Sequence, residues 1–291
     1  MFSFLLLLSF LPVSPLAKDL QAIVTPARGV VGFAALELGS GGTLGVRAHE
    51  AFPMQSVFKL PVALEVLRLV DTRKLDLARV VALNAADARE GLADGIAVPS
   101  QHTVGELLEA MLIDSDNVAC DKLLALVGGP AAVDARVQAL GVSDIHIRFS
   151  ELEMERGRGD NTATPGAMVV LLAKVARGEE GLSPASHARL EDLLLRVGTG
   201  PRRLKGALPN GTPVFHKTGT SGTTGGVTDA TNDVGLVTLP DGRRFAVAVF
   251  VYASRADQDT RERTIALLAR LAFDLFSAPA PSPAPAPSPS R

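Results

Sequence analysis

The chain has 291 residues and a formal net charge of −2, and 47% of it is hydrophobic, which is enough for one large core or two lobes. With no basic cluster and only 4% aromatic residues, it lacks the electrostatic and stacking footprint of a nucleic-acid binder. A single cysteine, Cys120, rules out an intramolecular disulfide and is read as a small buried hydrophobe, and the five histidines show no metal-ligand spacing.

The first residues, MFSFLLLLSFLPVSPLA, are apolar but too short and too interrupted by proline to span a bilayer, and Ala17 precedes the charged Lys18-Asp19. They predict a secretory leader over 1–17, with a retained anchor as the alternative. GVVGFAALEL (29–38) and TLGVRAH (43–49), joined by Gly-Ser-Gly-Gly, predict a β-hairpin. From about 56 to 200 the pattern is helical. SVFK (56–59) opens the run LPVALEVLRLV, broken only by Glu65 and Arg68 on one narrow stripe, so this helix should be buried on nearly all sides. Pro61 demands an irregular first turn or a bend. Thr103-Val-Gly-Glu106 is a capping box ahead of LLEAMLI.

Near the other end, PVFHKTG (213–219), DVGLVTL (233–239) and RFAVAVFVYA (244–253) predict three strands, the last two joined by Pro-Asp-Gly. TRERTIALLARLAFDLF (260–276) has helical spacing with its charges on one side, and the Pro/Ser/Ala tail over 277–291 has nothing to bury. No internal repeat is evident. The architecture expected is a two-lobed α/β fold: an antiparallel sheet built from both chain ends with flanking helices, and a helical lobe inserted between them. A cleft forms where such lobes meet.

Three short stretches fall around that cleft. Ser56 and Lys59, three apart on a helix, are neighbours, and a serine hydroxyl needs a base beside it to attack at neutral pH. Alone this pair reads as a capping serine and a snorkelling lysine. Ser115-Asp116-Asn117 lies between helical runs, in a turn able to present a hydroxyl and an amide. Lys217-Thr218-Gly219-Thr220, on a strand, would line the opposite wall with a cation, two hydroxyls and a glycine that lets a substrate approach the backbone. All three in this order outweigh the bland reading of each.

In these motifs the sequence resembles the class A serine β-lactamases, within the wider group that includes penicillin-binding proteins. The resemblance covers most of residues 25–276, and SVFKLPVALEVL, SDNVACD, HKTGTSG and NDVGLVTLPDGRRFAVAVFV are most similar to the cephalosporin-hydrolysing branch. It implies that Ser56 is the acylated nucleophile and Lys59 its proton partner. Ser115 would relay a proton to the leaving nitrogen with help from Lys217, and Asn117 would hold the substrate's side-chain amide. Thr218 and Thr220 would grip its carboxylate, supported by Arg203 or the adjacent Arg202, and the amides of Ser56 and Thr220 would form the oxyanion hole. The resemblance further implies a small-molecule β-lactam substrate, no cofactor or metal, export to the periplasm, no stable membrane anchor after leader removal, and a monomer. The catalytic unit would be a single domain over 18–276, with a sheet lobe (18–55 and 205–276) and a helical lobe (56–204).

The family's deacylating glutamate falls in FSELEMERGRGDNTATPGAM (149–168), where Glu151, Glu153 and Glu155 compete. Aligning Met154 with the hydrophobic residue the family carries three positions after its glutamate selects Glu151. Glu155 then stands where asparagine or histidine is usual. The Arg-to-Asp ion pair that commonly ties this loop is replaced by Phe149 and Asn161, and the loop is shorter. It should therefore yield more easily and admit bulky oxyimino cephalosporins. The alternatives are a D-alanyl-D-alanine peptidase or penicillin-binding protein with slow deacylation, and a β-lactam sensor without turnover.

Overall fold

A computed structural model describes residues 15–89 and 95–278. Most of the predicted leader and nearly all of the predicted tail lie outside the described residues.

The chain opens with helix α1 (Pro15–Val24) and the strands β1 (Val30–Glu37), β2 (Thr43–Val46) and β3 (Phe52–Pro53). It then runs through α2 (Lys59–Asp71), β4 (Val80–Leu83), β5 (Ser100–Thr103), α3 (Val104–Glu109), α4 (Asn117–Leu126), α5 (Pro130–Ala139) and β6 (Ile145–His146). Next come α6 (Glu151–Glu155), β7 (Thr162–Ala163), α7 (Pro165–Ala176) and α8 (Pro184–Leu195). It returns to the sheet through β8 (Val214–Thr220), β9 (Thr223–Thr224), β10 (Val227–Thr238) and β11 (Arg244–Ser254), and closes with α9 (Gln258–Ser277).

The main sheet has the order β2-β1-β11-β10-β8 and is antiparallel throughout, with β9 folded onto the start of β10. Period-two alternation sends the two faces of its central strands into different cores. Phe33, Val247, Val249 and Val251 pack with α9, while Ala34, Val234, Ala248 and Phe250 pack with the helical part. Strand β10 begins six residues before the predicted 233. Its polar start is extended because those side chains have partners: Asn232 donates to the carbonyls of Pro53 and Met54, and Arg261 donates to the Thr231 hydroxyl.

Between the sheet segments the chain is mostly helical, with two small additions that the helical pattern concealed: the ribbon β4-β5 and the three-stranded sheet β3-β7-β6. The capping box at Thr103 and Glu106 forms as its spacing predicts. Helix α2 is buried over its first nine residues, and its one buried carboxylate, Glu65, is bound by Arg68 at 2.6 and 2.7 Å. Pro61 is accommodated because Gln55–Phe58 is a 3₁₀ turn and the α-helix begins only at Lys59, which leaves Pro61 in the first turn, where no amide donor is required.

Candidate active site

The 3₁₀ turn delivers Ser56 to the end of α2 with Gln55 in the left-handed region at φ 47°, and Ser115 is presented the same way, at φ 64°, between a π-helical turn and α4. Such backbone costs on the order of 1 kcal/mol or more at a non-glycine residue and is typical of positions that aim a side chain. The turn lies against β8. A Cβ at Gly219 would collide with the Met54 carbonyl and press on Gln55 and Val57. The close approach of the Ser56 turn by itself requires a glycine at this position.

At the centre sits Lys59, fully buried, with its ammonium facing oxygens on every side. It donates to Ser56 Oγ at 3.0 Å, to the Ser115 carbonyl at 2.6 Å and to Asn117 Oδ1 at 2.6 Å, and it lies 2.9 Å from Glu151 Oε1. Ser56 Oγ is in turn 3.4 Å from Glu151 Oε1. The second buried cation, Lys217, donates to Ser115 Oγ at 2.9 Å. Burial, reinforced by the charge of Lys59, lowers the Lys217 ammonium to about 7. Ser56, Lys59, Ser115, Asn117, Glu151 and Lys217 thus form one continuous polar cluster.

The three glutamates separate by position. Glu151 is buried against Lys59, whereas Glu153 closes a capping box with Ser150 and pairs with Arg158. Glu155 accepts from Asn117 Nδ2 at 2.9 Å, so both ends of that amide are engaged. Thr218 is buried with its hydroxyl 2.6 Å from that of Thr199. Thr220 is exposed and accepts from Arg203 at 2.8 Å. Arg203 also binds the carbonyls of Gly219 and Asn232 and pairs with Glu262, while Arg202 turns outward to Asp259 and Glu262. Cys120 is buried, and burial pushes its thiol well up.

Phe149 and Asn161 form no ion pair, and the loop is tied by hydrogen bonds instead. The fully buried amide of Asn161 accepts from the amides of Arg148 and Phe149 and donates to the Phe149 carbonyl. Three neutral bonds stand where the family's ion pair would. Sequence reasoning also missed Asp121, whose carboxylate accepts from the backbone of Glu151 and Leu152 at 2.8 and 3.0 Å and is bound by Arg89. Its carboxyl is held above the usual range by burial, against the lowering effect of those bonds. The signal was present: Asp121 follows Asn117 by one helical turn and so shares its face of α4.

Residues 15–276 match the family described as the Beta-lactamase enzyme family. The chain is 40% identical over 274 residues to the extended-spectrum β-lactamase PER-1 of Pseudomonas aeruginosa, covering 89% of this chain and 87% of that one. It is 32% identical to β-lactamase VEB-1 of the same organism, covering 90% of each. Among solved structures, the TLA-3 extended-spectrum β-lactamase superposes with a TM-score of 0.86 at 33% identity, covering 90% of this chain and 98% of that one. A β-lactamase from Chitinophaga pinensis gives 0.84 at 37%, covering 89% and 98%.

Proposed function

Because the chain belongs to the β-lactamase enzyme family, as a class A serine β-lactamase that hydrolyses β-lactams and so confers resistance to them, we propose a division of that reaction among its residues. Ser56 Oγ attacks the lactam carbonyl and loses its proton to Lys59, which Glu151 frees for the task by first taking the lysine's own proton. The lactam C–N bond breaks, and Ser115 passes its proton to the departing nitrogen, with Lys217 beside it; Lys59 replaces the Ser115 proton with the one taken from Ser56, and Glu151 then returns its own proton to Lys59, so that its carboxylate is free again. In the second half Glu151 takes a proton from water, the hydroxide attacks the ester carbonyl, and the Ser56 alkoxide is reprotonated on leaving. The amides of Ser56 and Thr220 stabilise the oxyanion in both steps, a role supported by the close packing of Gly219 on Met54 and Gln55. Asn117 binds the acyl amide, and Thr220, Thr218 and Lys217 bind the carboxylate, with Arg203 charging Thr220 from behind.

The observation that carries this reading is the meeting of Ser56, Lys59 and Glu151 within 3.4 Å of one another. It favours complete turnover over the slow deacylation of a penicillin-binding protein. The relatives named as extended-spectrum and the cleft of about 820 Å³ beside Ser56 support oxyimino cephalosporins as part of the range. The reading includes an exported monomer whose leader over 1–17 is removed, and one catalytic domain over 18–276. Among the described residues no helix is long and apolar enough to cross a membrane.

The test is a burst experiment with a chromogenic cephalosporin in excess over the enzyme. The parent protein should hydrolyse far past one equivalent. Glu151→Gln should stop after a burst of about one equivalent with a lasting mass adduct on Ser56, deacylation slowed about 10²–10⁴-fold. Trapping by Glu153→Gln or Glu155→Gln instead would reassign the base, and an adduct on Ser56→Ala would overturn the nucleophile.

A further inference from the structure

The cleft beside Ser56 is electrically one-sided. Its described lining holds the carboxylates of Glu151, Glu155, Asp160 and Asp229 and no lysine, arginine or histidine. Glu151 is neutralised by Lys59 at its back. Of the other three, Glu155 is bonded to Asn117, Asp160 to Gln55 beside Ser56, and Asp229 on β10 lies close enough to Asp160 to act on its charge. On the reading above, the substrate carboxylate sits at Thr220 and the acyl amide at Asn117, so the acyl side chain extends into the space these three border.

Little compensates their charge. Among the described residues, Glu155 has one cationic neighbour, Arg89, at 3.5 Å, and that guanidinium is already bound by Asp121 at 2.5 Å. Among the same residues, Asp160 accepts from the neutral Gln55 amide alone, at 3.1 Å. Partial burial and the charge of Asp229 hold its carboxyl above the usual aspartate range, as expected of two carboxylates facing each other without a counter-ion. Glu155 also occupies Asn117 Nδ2, the donor an incoming acyl carbonyl needs. A neutral acyl group must take that donor and return Glu155 to water with no new charge to meet it. A cationic one satisfies the glutamate it displaces.

We propose that Glu155, Asp160 and Asp229 make the acyl end of the cleft an anionic subsite that selects zwitterionic β-lactams, those with a carboxylate at one end and an ammonium on the acyl side chain. The inference rests on the hydrolase reading and adds the substrate class. Penicillins that differ only in one α substituent, aminobenzyl, benzyl and carboxybenzyl, isolate charge from shape. Slightly below neutral pH, where the amino group is cationic, kcat/KM should fall in that order, with roughly ten- to hundredfold between the extremes and a narrower spread in high salt. Glu155→Gln and Asp229→Asn should each compress the amino-to-carboxy ratio, chiefly through KM. Asp229 is exposed, so its variant keeps the test valid if Glu155→Gln misfolds. Turnover of all three penicillins with a ratio near one in the parent, or a ratio that neither variant moves, overturns the subsite. Failure to turn over any of them overturns the hydrolase reading and the subsite with it.

Discussion

Lys217 is the residue at which burial and function oppose each other most directly. The desolvation that brings it to Ser115 also lowers its ammonium to about 7, so in the free enzyme its charge is lost as pH rises through that value. Below it the cation is complete and can receive a substrate carboxylate. Because kcat/KM reports ionisations of the free enzyme, its alkaline limb should begin near neutrality and deepen above it. Lys217→Arg keeps a charge that does not titrate in this range, so whatever activity it retains should be flat across the same interval. A pH–rate profile on one carboxylate-bearing cephalosporin decides the matter: an alkaline limb that survives unchanged in Lys217→Arg belongs to another group.

The short helix α6 shows how an element of five residues can place a buried carboxylate, Glu151, against Lys59. Isolated, it would not persist. It is held from three directions, by the Ser150 capping box, by Asp121 receiving two of its amides and by Asn161 receiving the two amides just before it. Asn161→Ala removes three bonds and leaves two part-buried amide donors without their acceptor. The expected loss is about 2–4 kcal/mol, or roughly 10 °C in Tm, with acyl-enzyme accumulating as Glu151 loses its position. Thermal denaturation and intact mass after β-lactam exposure read the two effects separately. A variant as stable as the parent would remove Asn161 from this role. What was legible in the sequence follows the same division. Signals carried within a few residues were readable: the Thr103 capping box, the Pro-Asp-Gly hairpin and the buried α2; Glu151 was singled out only through the resemblance, by way of Met154. Strands β3, β6 and β7, of two residues each, carry no period to read. Asp121 and Asn161 looked like ordinary polar residues because the amides they bind lie about 30 and 12 positions away.

At the scale of the whole molecule, the sheet and the helical part share one apolar core. Phe250 on β11 and Phe52, which leads into the Ser56 turn, stack at 5.9 Å, and both belong to the cluster that contains Leu64, Leu107 and Leu172 from the helices. Helix α7, from the inserted part, contributes Leu171 and Leu172 to that cluster beside Ala248 of the sheet. An interface of this kind has no cheap place to open, so the lobes should unfold together. Phe250→Ala leaves a cavity at the join and should cost about 3–5 kcal/mol, lowering Tm by roughly 10 °C or more. The chain has no tryptophan, so calorimetry and far-ultraviolet circular dichroism are the suitable probes, with residual hydrolysis as the third. All three midpoints should fall together in Phe250→Ala, because the phenyl ring supports the strand that ends two residues before Gln55. If calorimetry resolved two transitions, and only one of them moved in the variant while hydrolysis followed the other, the sheet and the helical part would be separate folding units and the single catalytic domain over 18–276 would have to be divided.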